Sequence, residues 1–314
     1  MEQESKIYVA GGRTLVGAAL LRRLEHHGYT NLCNRTHEEP DLTVASEVEA
    51  YFQQVQPEYV FDTAGKSGGI GANVKLPADL MRDNLFSSAH TIEAAHRHRV
   101  KKLLYLASSC SYPKLCPQPM RVQDLLTGSL EPTNEAYAVA KIAGIKLCQA
   151  YRRQYHDDFI VGIPANPFGP GEDFSLDNSH VIAALIRKMH DAKMRGDGSI
   201  TVWGTGSARR EFIFVDDLAD ACIKVMREYS DEEPLNLGGA PVLSIGELAQ
   251  AVRRVVGFAG RLEFDASKPD GMPMKALETS RLQRMGWQPQ VAFDDALAAT
   301  YRWYLDDAQA RGHS

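Results

Sequence analysis

Apolar positions in the first half of the chain follow two alternating rhythms. Short β-branched and aromatic runs, "KIYVA" (6–10), "YVFDTA" (59–64), "KLLYLA" (102–107) and "FIVGIP" (159–164), read as strands, with "NLCN" (31–34) as a shorter one. Between them apolar residues recur at helical spacing, from Leu15 to His27, over 44–55, near 77–99 and over 135–155. Strands alternating with helices predict crossover units, and strands apolar on both faces predict a parallel sheet covered on both sides. The expected fold is α/β, a doubly wound parallel sheet of Rossmann type.

Beyond Asn166 the rhythm loosens. The stretch "PFGPGEDFSLDN" predicts a long loop, followed by a helix from Ser179 to about Met194. "REFIFVDDLADACIKVMRE" predicts a strand and then a helix capped by Asp216 or Asp217, and "PLNLGG" predicts one more strand. Helices near 244–256 and 293–310 complete a smaller unit. The expected division is a dinucleotide-binding domain over 1–166, with a return segment near 211–239, and a substrate domain over 167–314.

Composition narrows the partners. The 314 residues are 44% hydrophobic and 24% charged, as in a globular protein, and carry a net charge of -5. Nucleic acid or an anionic membrane would call for a clustered basic face, so neither is expected as a partner. No run approaches the roughly 20 apolar residues of a membrane helix. The start "MEQESKIYVAGG" lacks the pattern of a secretory signal, so a cytoplasmic location is expected. Five cysteines with no CxxC pair predict reduced thiols and no metal site.

"VAGGRTLVG" places Gly11 and Gly17 between the first strand and the first helix. Glycines there allow a tight turn and let a pyrophosphate reach the helix N-terminus. Thr14 stands at the middle position of the usual glycine pattern. The expected cofactor contacts are Gly11, Arg13, Thr14, Leu15, Val16, Gly17 and Ala64. After the second strand comes Asn34-Arg35-Thr36-His37, with no acid for a ribose hydroxyl, and Arg35 points to the 2'-phosphate of NADPH.

Tyr137 and Lys141 lie four residues apart on the helix over 135–155, so both project from one face. A nearby ammonium would draw the phenol's pKa down from about 10, readying it as proton donor to a carbonyl that receives hydride. Ser108, at the end of "KLLYLA", can hydrogen-bond the same carbonyl. Two positions away sits Cys110. On its residues alone it reads more readily as a small buried hydrophobe than as a thiol placed to move protons.

The order of "SSCSYPK" (108–114), "LEPTNEAYAVAKIAGIKLC" (130–148), "NSHVI" (178–182), "VWGTG" (202–206), "REFIFVDDLADA" (210–221) and "FDASKPDG" (264–271) resembles the extended short-chain dehydrogenases/reductases. Within them it is similar to the GDP-sugar 3,5-epimerase-4-reductases. The resemblance implies a reductase triad of Ser108, Tyr137 and Lys141, with Lys141 also on the cofactor. It implies Cys110 and His180 as base and acid of epimerisation. Asn166 is implied as a cofactor and substrate contact, and Lys188, Trp203, Arg210 and Lys275 as lining a GDP-sugar site. A homodimer through the helices near 77–99 and 135–155 is implied as well. Cys33, Cys116, Cys148 and Cys222 are read as structural.

The chain departs from the family pattern at Thr14, His37, Pro167, Phe168, Gly171 and Met274. The expected reaction is NADPH-dependent conversion of GDP-4-keto-6-deoxy-mannose by epimerisation at carbons 3 and 5 and reduction at carbon 4. Two alternatives stay open: action on another GDP-keto-deoxy sugar, and a non-catalytic NADP(H)-binding protein.

Overall fold

The computed structural model describes residues 1–175 and 179–310. The first half runs β1 (Ile7–Ala10), α1 (Leu15–His26), α2 (Cys33–Thr36), α3 (Ala45–Val55), β2 (Tyr59–Asp62), α4 (Ile70–Lys75), α5 (Pro77–Arg97), β3 (Lys102–Leu106), α6 (Glu135–Tyr155) and β4 (Phe159–Pro164). The second half runs β5 (Asn166–Phe168), α7 (Val181–Arg195), β6 (Ser199–Trp203), β7 (Arg209–Phe214), α8 (Val215–Glu228), β8 (Leu235–Leu237), β9 (Val242–Ser244), α9 (Ile245–Val256), β10 (Arg261–Asp265), β11 (Met274–Lys275), α10 (Ser280–Arg284) and α11 (Phe293–Ala310).

Five strands pair in parallel in the order β1-β2-β3-β4-β8. Every residue of β1, β3 and β4 is buried, which is why these strands read as continuous apolar runs. Helices α1 and α8 pack together, as do α5 and α6. Leu32 bridges Ile7 while Tyr59 is paired in parallel with the same residue. The winding therefore reverses at β1, and the crevice beyond its carboxyl end is the natural ligand site of such a sheet.

A single residue, Ala165, separates β4 from β5, so the chain passes directly from this sheet into a second one. There β7 is flanked in parallel by β5 and β11, and antiparallel by β9. The pair β6 and β10, with α7, α9 and α11, closes a second apolar cluster around Phe168, Ile186, Met189, Val252 and Leu297. Helix α8 and strand β8 belong instead to the first cluster, through Leu218, Cys222, Leu235 and Leu237.

Three expectations are corrected. The strand over 31–34 is reduced to the bridge at Leu32, followed by the helical turn α2. The Asn34 amide there accepts from Val9 N (3.0 Å) and donates to Val9 O (2.8 Å), so a side chain supplies the pairing that a strand would give. The loop after Asn166 begins as β5, because 166–168 pair with 212–214. Helix α8 has Phe214 at its N-cap and no side-chain cap. Asp217 turns away to accept from Gln290 N and Val291 N (both 3.1 Å), and Asp216 pairs with Arg22 (2.8 Å). Among the described residues no helix is long and apolar enough to cross a membrane, and no group of three His, Cys, Asp or Glu side chains could hold a metal.

Candidate active site

The turn after β1 is shaped by two glycines. Gly11 has φ +77°, and a Cβ there would stand 2.8 Å from the Ala64 backbone. A Cβ on Gly17 would lie 2.0 Å from Gly11 O, so this glycine is what lets α1 approach the turn. Thr14 caps α1: its Oγ1 donates to Gly11 O (2.8 Å) and accepts from Gly17 N (3.1 Å). The hydroxyl faces into the turn and replaces glycine without blocking it. Among the described residues no partner meets the Leu15 and Val16 N–H groups, which suit an anion. The cradle fits a dinucleotide pyrophosphate.

The flanking charges are already engaged. Arg35 pairs with Glu25 (2.7 Å) and Arg13 with Glu38 (3.8 Å), both in the open. Exposed pairs of this kind are worth about 0–1 kcal/mol, so a phosphate could take either arginine. Glu39, which the sequence reading passed over, accepts from Gly11 N (2.5 Å) and Tyr8 Oη (3.2 Å). Burial pushes its carboxyl up, against the pull of the Gly11 and Gly12 N–H groups.

At the carboxyl end of β3, Ser108 caps a short turn, 109–111, and its Oγ accepts from Cys110 N (3.2 Å). Tyr137 and Lys141 come from the first two turns of α6. Lys141 is 4% exposed, and its ammonium donates to Ala64 O (3.1 Å) and Leu106 O (3.2 Å), the two strand ends that flank it. Burial and the facing Cys110 hold the Tyr137 phenol well above its ordinary value, with the Ser108 hydroxyl opposing. The expected lowering by Lys141 is therefore corrected: burial and Cys110 set the balance, and Tyr137 rests protonated, as a donor must.

Cys110 is engaged by polar and charged neighbours. Its Sγ accepts from Asn134 Nδ2 (3.2 Å) and from Lys275 Nζ (3.3 Å). Burial alone would raise the thiol, yet Lys275, Ser108 and His180 together hold it below its ordinary value. His180, just before α7, bonds through Nδ1 to Glu172 Oε1 (3.1 Å). Burial lowers the imidazole, but Glu172 and then Cys110 raise it above its ordinary value on balance. One group is thus pushed towards thiolate and the other towards imidazolium, a division into base and acid.

The second sheet brings the cations. The register of β11 on β7 sets Lys275 beside Arg210, and Arg210 donates to Asp270 O (2.9 Å) while feeling the charge of Cys110. Lys188 and Lys268 stand over the Trp203 ring at 5.4 and 5.5 Å, leaving a half-exposed indole flanked by ammonium groups. Asn166 donates to Glu211 O (2.7 Å), which fastens β5 to β7.

Sequence reasoning missed Asn134, Glu172 and the contact of Lys275 with sulfur. Asn134 lay in plain view three residues before Tyr137, whereas nothing local marks Glu172. Asn178, part of the quoted "NSHVI", lies outside the described residues.

The profile of one family, described as NAD dependent epimerase/dehydratase, matches residues 7–238. The chain belongs to that family. GDP-L-fucose synthase 1 of Arabidopsis thaliana is 51% identical over 97% of this chain and 94% of its own. A GDP-6-OMe-4-keto-L-xylo-heptose reductase from C. jejuni superposes with a TM-score of 0.91, at 32% identity, over 98% of this chain and 99% of that one. A GDP-L-fucose synthetase from Naegleria fowleri bound to NADP superposes with a TM-score of 0.89, at 26% identity, over 98% and 96%. Within this epimerase/dehydratase fold the Ser108, Tyr137 and Lys141 cluster sits where strands β2 and β3 end, beside the glycine turn.

Proposed function

We propose that the protein makes GDP-L-fucose from GDP-4-keto-6-deoxy-mannose, epimerising carbons 3 and 5 and then reducing carbon 4 with NADPH. The carrying observation is the thiol of Cys110, held by Lys275 and Asn134 two residues from Ser108. A reductase alone has no use for an acidified thiol and a raised imidazole facing its carbonyl site.

A ketone at carbon 4 acidifies the hydrogens on carbons 3 and 5, because each carbanion delocalises into an enolate. In this reading the Cys110 thiolate takes the proton from one ring face and His180 returns one on the other, and proton exchange with solvent restores thiolate and imidazolium before the second centre is inverted. Ser108 then hydrogen-bonds the carbon 4 oxygen, and Tyr137 gives it a proton. Bound NADPH supplies the hydride. Lys141 holds the cofactor's ribose and the Tyr137 environment, and Arg35 takes the 2'-phosphate in exchange for Glu25.

Arg210, Lys188 and Lys275 supply positive charge for the diphosphate side, and Trp203 a stacking face. The same reading places the cofactor on residues 1–166 with the return segment near 211–239, and the sugar nucleotide on 167–314. A cytoplasmic homodimer through α5 and α6 completes it; the half-exposed Phe86 and Val139 on these helices supply apolar contact area.

The test is the product formed from GDP-4-keto-6-deoxy-mannose and NADPH in deuterated water. GDP-L-fucose labelled at carbons 3 and 5 is expected. An unlabelled 6-deoxy-D-sugar nucleotide would reduce the reading to a simple 4-reductase.

A further inference from the structure

Asp62, the last residue of β2, is wholly buried, yet its carboxylate is poorly provided for. One oxygen accepts from Ala64 N (3.1 Å), and the other has no hydrogen-bond partner. Glu211, another buried acid, shows what a structural carboxylate looks like: it accepts N–H groups from Gly239, Ala240 and Leu277. A buried acid with one bond costs the fold several kcal/mol that apolar packing would not.

Ala64, whose N–H donates to Asp62, accepts from Lys141 through its own carbonyl (3.1 Å), so one residue links the acid to the ammonium. Lys141 has no short ion pair among the described residues, and among them Asp62 is the charge that acts on it. We propose that Asp62 is a positioning residue of the reductase, a buried counter-charge that keeps Lys141 an ammonium ion while the carbonyl is reduced. The inference rests on the reductase reading given above.

The groups facing Asp62 from each packed element are Tyr8 on β1, Tyr105 on β3, Lys141 and Cys148 on α6, and Glu39 after α2. Lys141 is the one cation among them. Burial raises the Asp62 carboxyl to about 7, with Lys141 opposing. Burial lowers Lys141 to about 8, with Asp62 opposing. Above about 7 the carboxylate is therefore charged and holds the lysine's proton. Without it, Lys141 loses that proton at lower pH.

The experiment compares Asp62→Asn and Asp62→Leu with the parent enzyme. Asp62→Asn keeps shape and the acceptor for Ala64 N–H, and Asp62→Leu removes an unpartnered polar group in favour of apolar packing. The alkaline limb of the pH profile of kcat for reduction is expected to move about one unit lower in both. KM near pH 6.5 and the alkaline behaviour of Cys110-dependent deuterium exchange are expected to stay put. The same shift is expected in the pH dependence of NADPH affinity, which needs no sugar. A sugar that is not turned over would therefore count against the functional reading and leave this inference to the binding curve. An unmoved limb in both variants overturns the proposal, as does failure of both to fold, which would make Asp62 a structural acid.

Discussion

Replacing Tyr137 by phenylalanine removes one oxygen from the site and leaves the ring in place. Because the phenol rests protonated, held up by burial and by Cys110, its loss deprives the carbon 4 oxygen of its proton. Reduction is expected to fall by about 100-fold or more while NADPH affinity holds, measured as single-turnover oxidation of NADPH. Lys275→Met acts on the other chemistry. Lys275 is the largest of the influences that lower the Cys110 thiol, so its removal raises the thiol, and thiolate then forms only at higher pH. The acid limb of carbon-bound deuterium exchange should move up by about one unit, with exchange near neutral pH about tenfold slower. Tyr137 and Lys141 were legible in the sequence because four residues on a helix make one face. The Lys275 contact was not: it spans 165 residues and hangs on a two-residue strand with no periodicity to show.

At the scale of elements, the glycine turn and α1 stand or fall together. Gly17→Ala would put a methyl group 2.0 Å from Gly11 O, so the helix has to retreat from the turn. A loss of about 1–3 kcal/mol of stability in denaturant titration is expected, together with NADPH binding. The strand expected over 31–34 failed for a reason periodicity cannot carry, since Asn34 spends its side chain on the backbone of Val9. Arg35 consequently sits on a helical turn, paired with the exposed Glu25. Arg35→Ala should weaken NADPH by about 1.5–3 kcal/mol and leave NADH nearly unchanged in direct titrations. Equal losses would assign Arg35 to the fold. The longer elements, such as α5, α6 and β4, were readable because uniform apolar spacing and length agree in each.

The five-stranded and four-stranded sheets are joined through Ala165, and the proposed site draws on both. The first sheet contributes Ser108, Cys110, Tyr137 and Lys141, and the second contributes Lys275, Arg210 and the approach to His180. The thiol lies where the two meet, held by a lysine from one side and an asparagine from the other. In the proposed reading a single chain performs proton exchange through Cys110 and hydride reduction through Tyr137, as separable steps. The most direct measurement is the product made by Cys110→Ser from GDP-4-keto-6-deoxy-mannose and NADPH in deuterated water. Serine keeps the shape but does not ionise near neutral pH. Slow reduction to a D-sugar nucleotide without deuterium at carbons 3 and 5 is expected. GDP-L-fucose formed at the parent rate, with full label, would contradict it and return Cys110 to a buried thiol at the end of a strand.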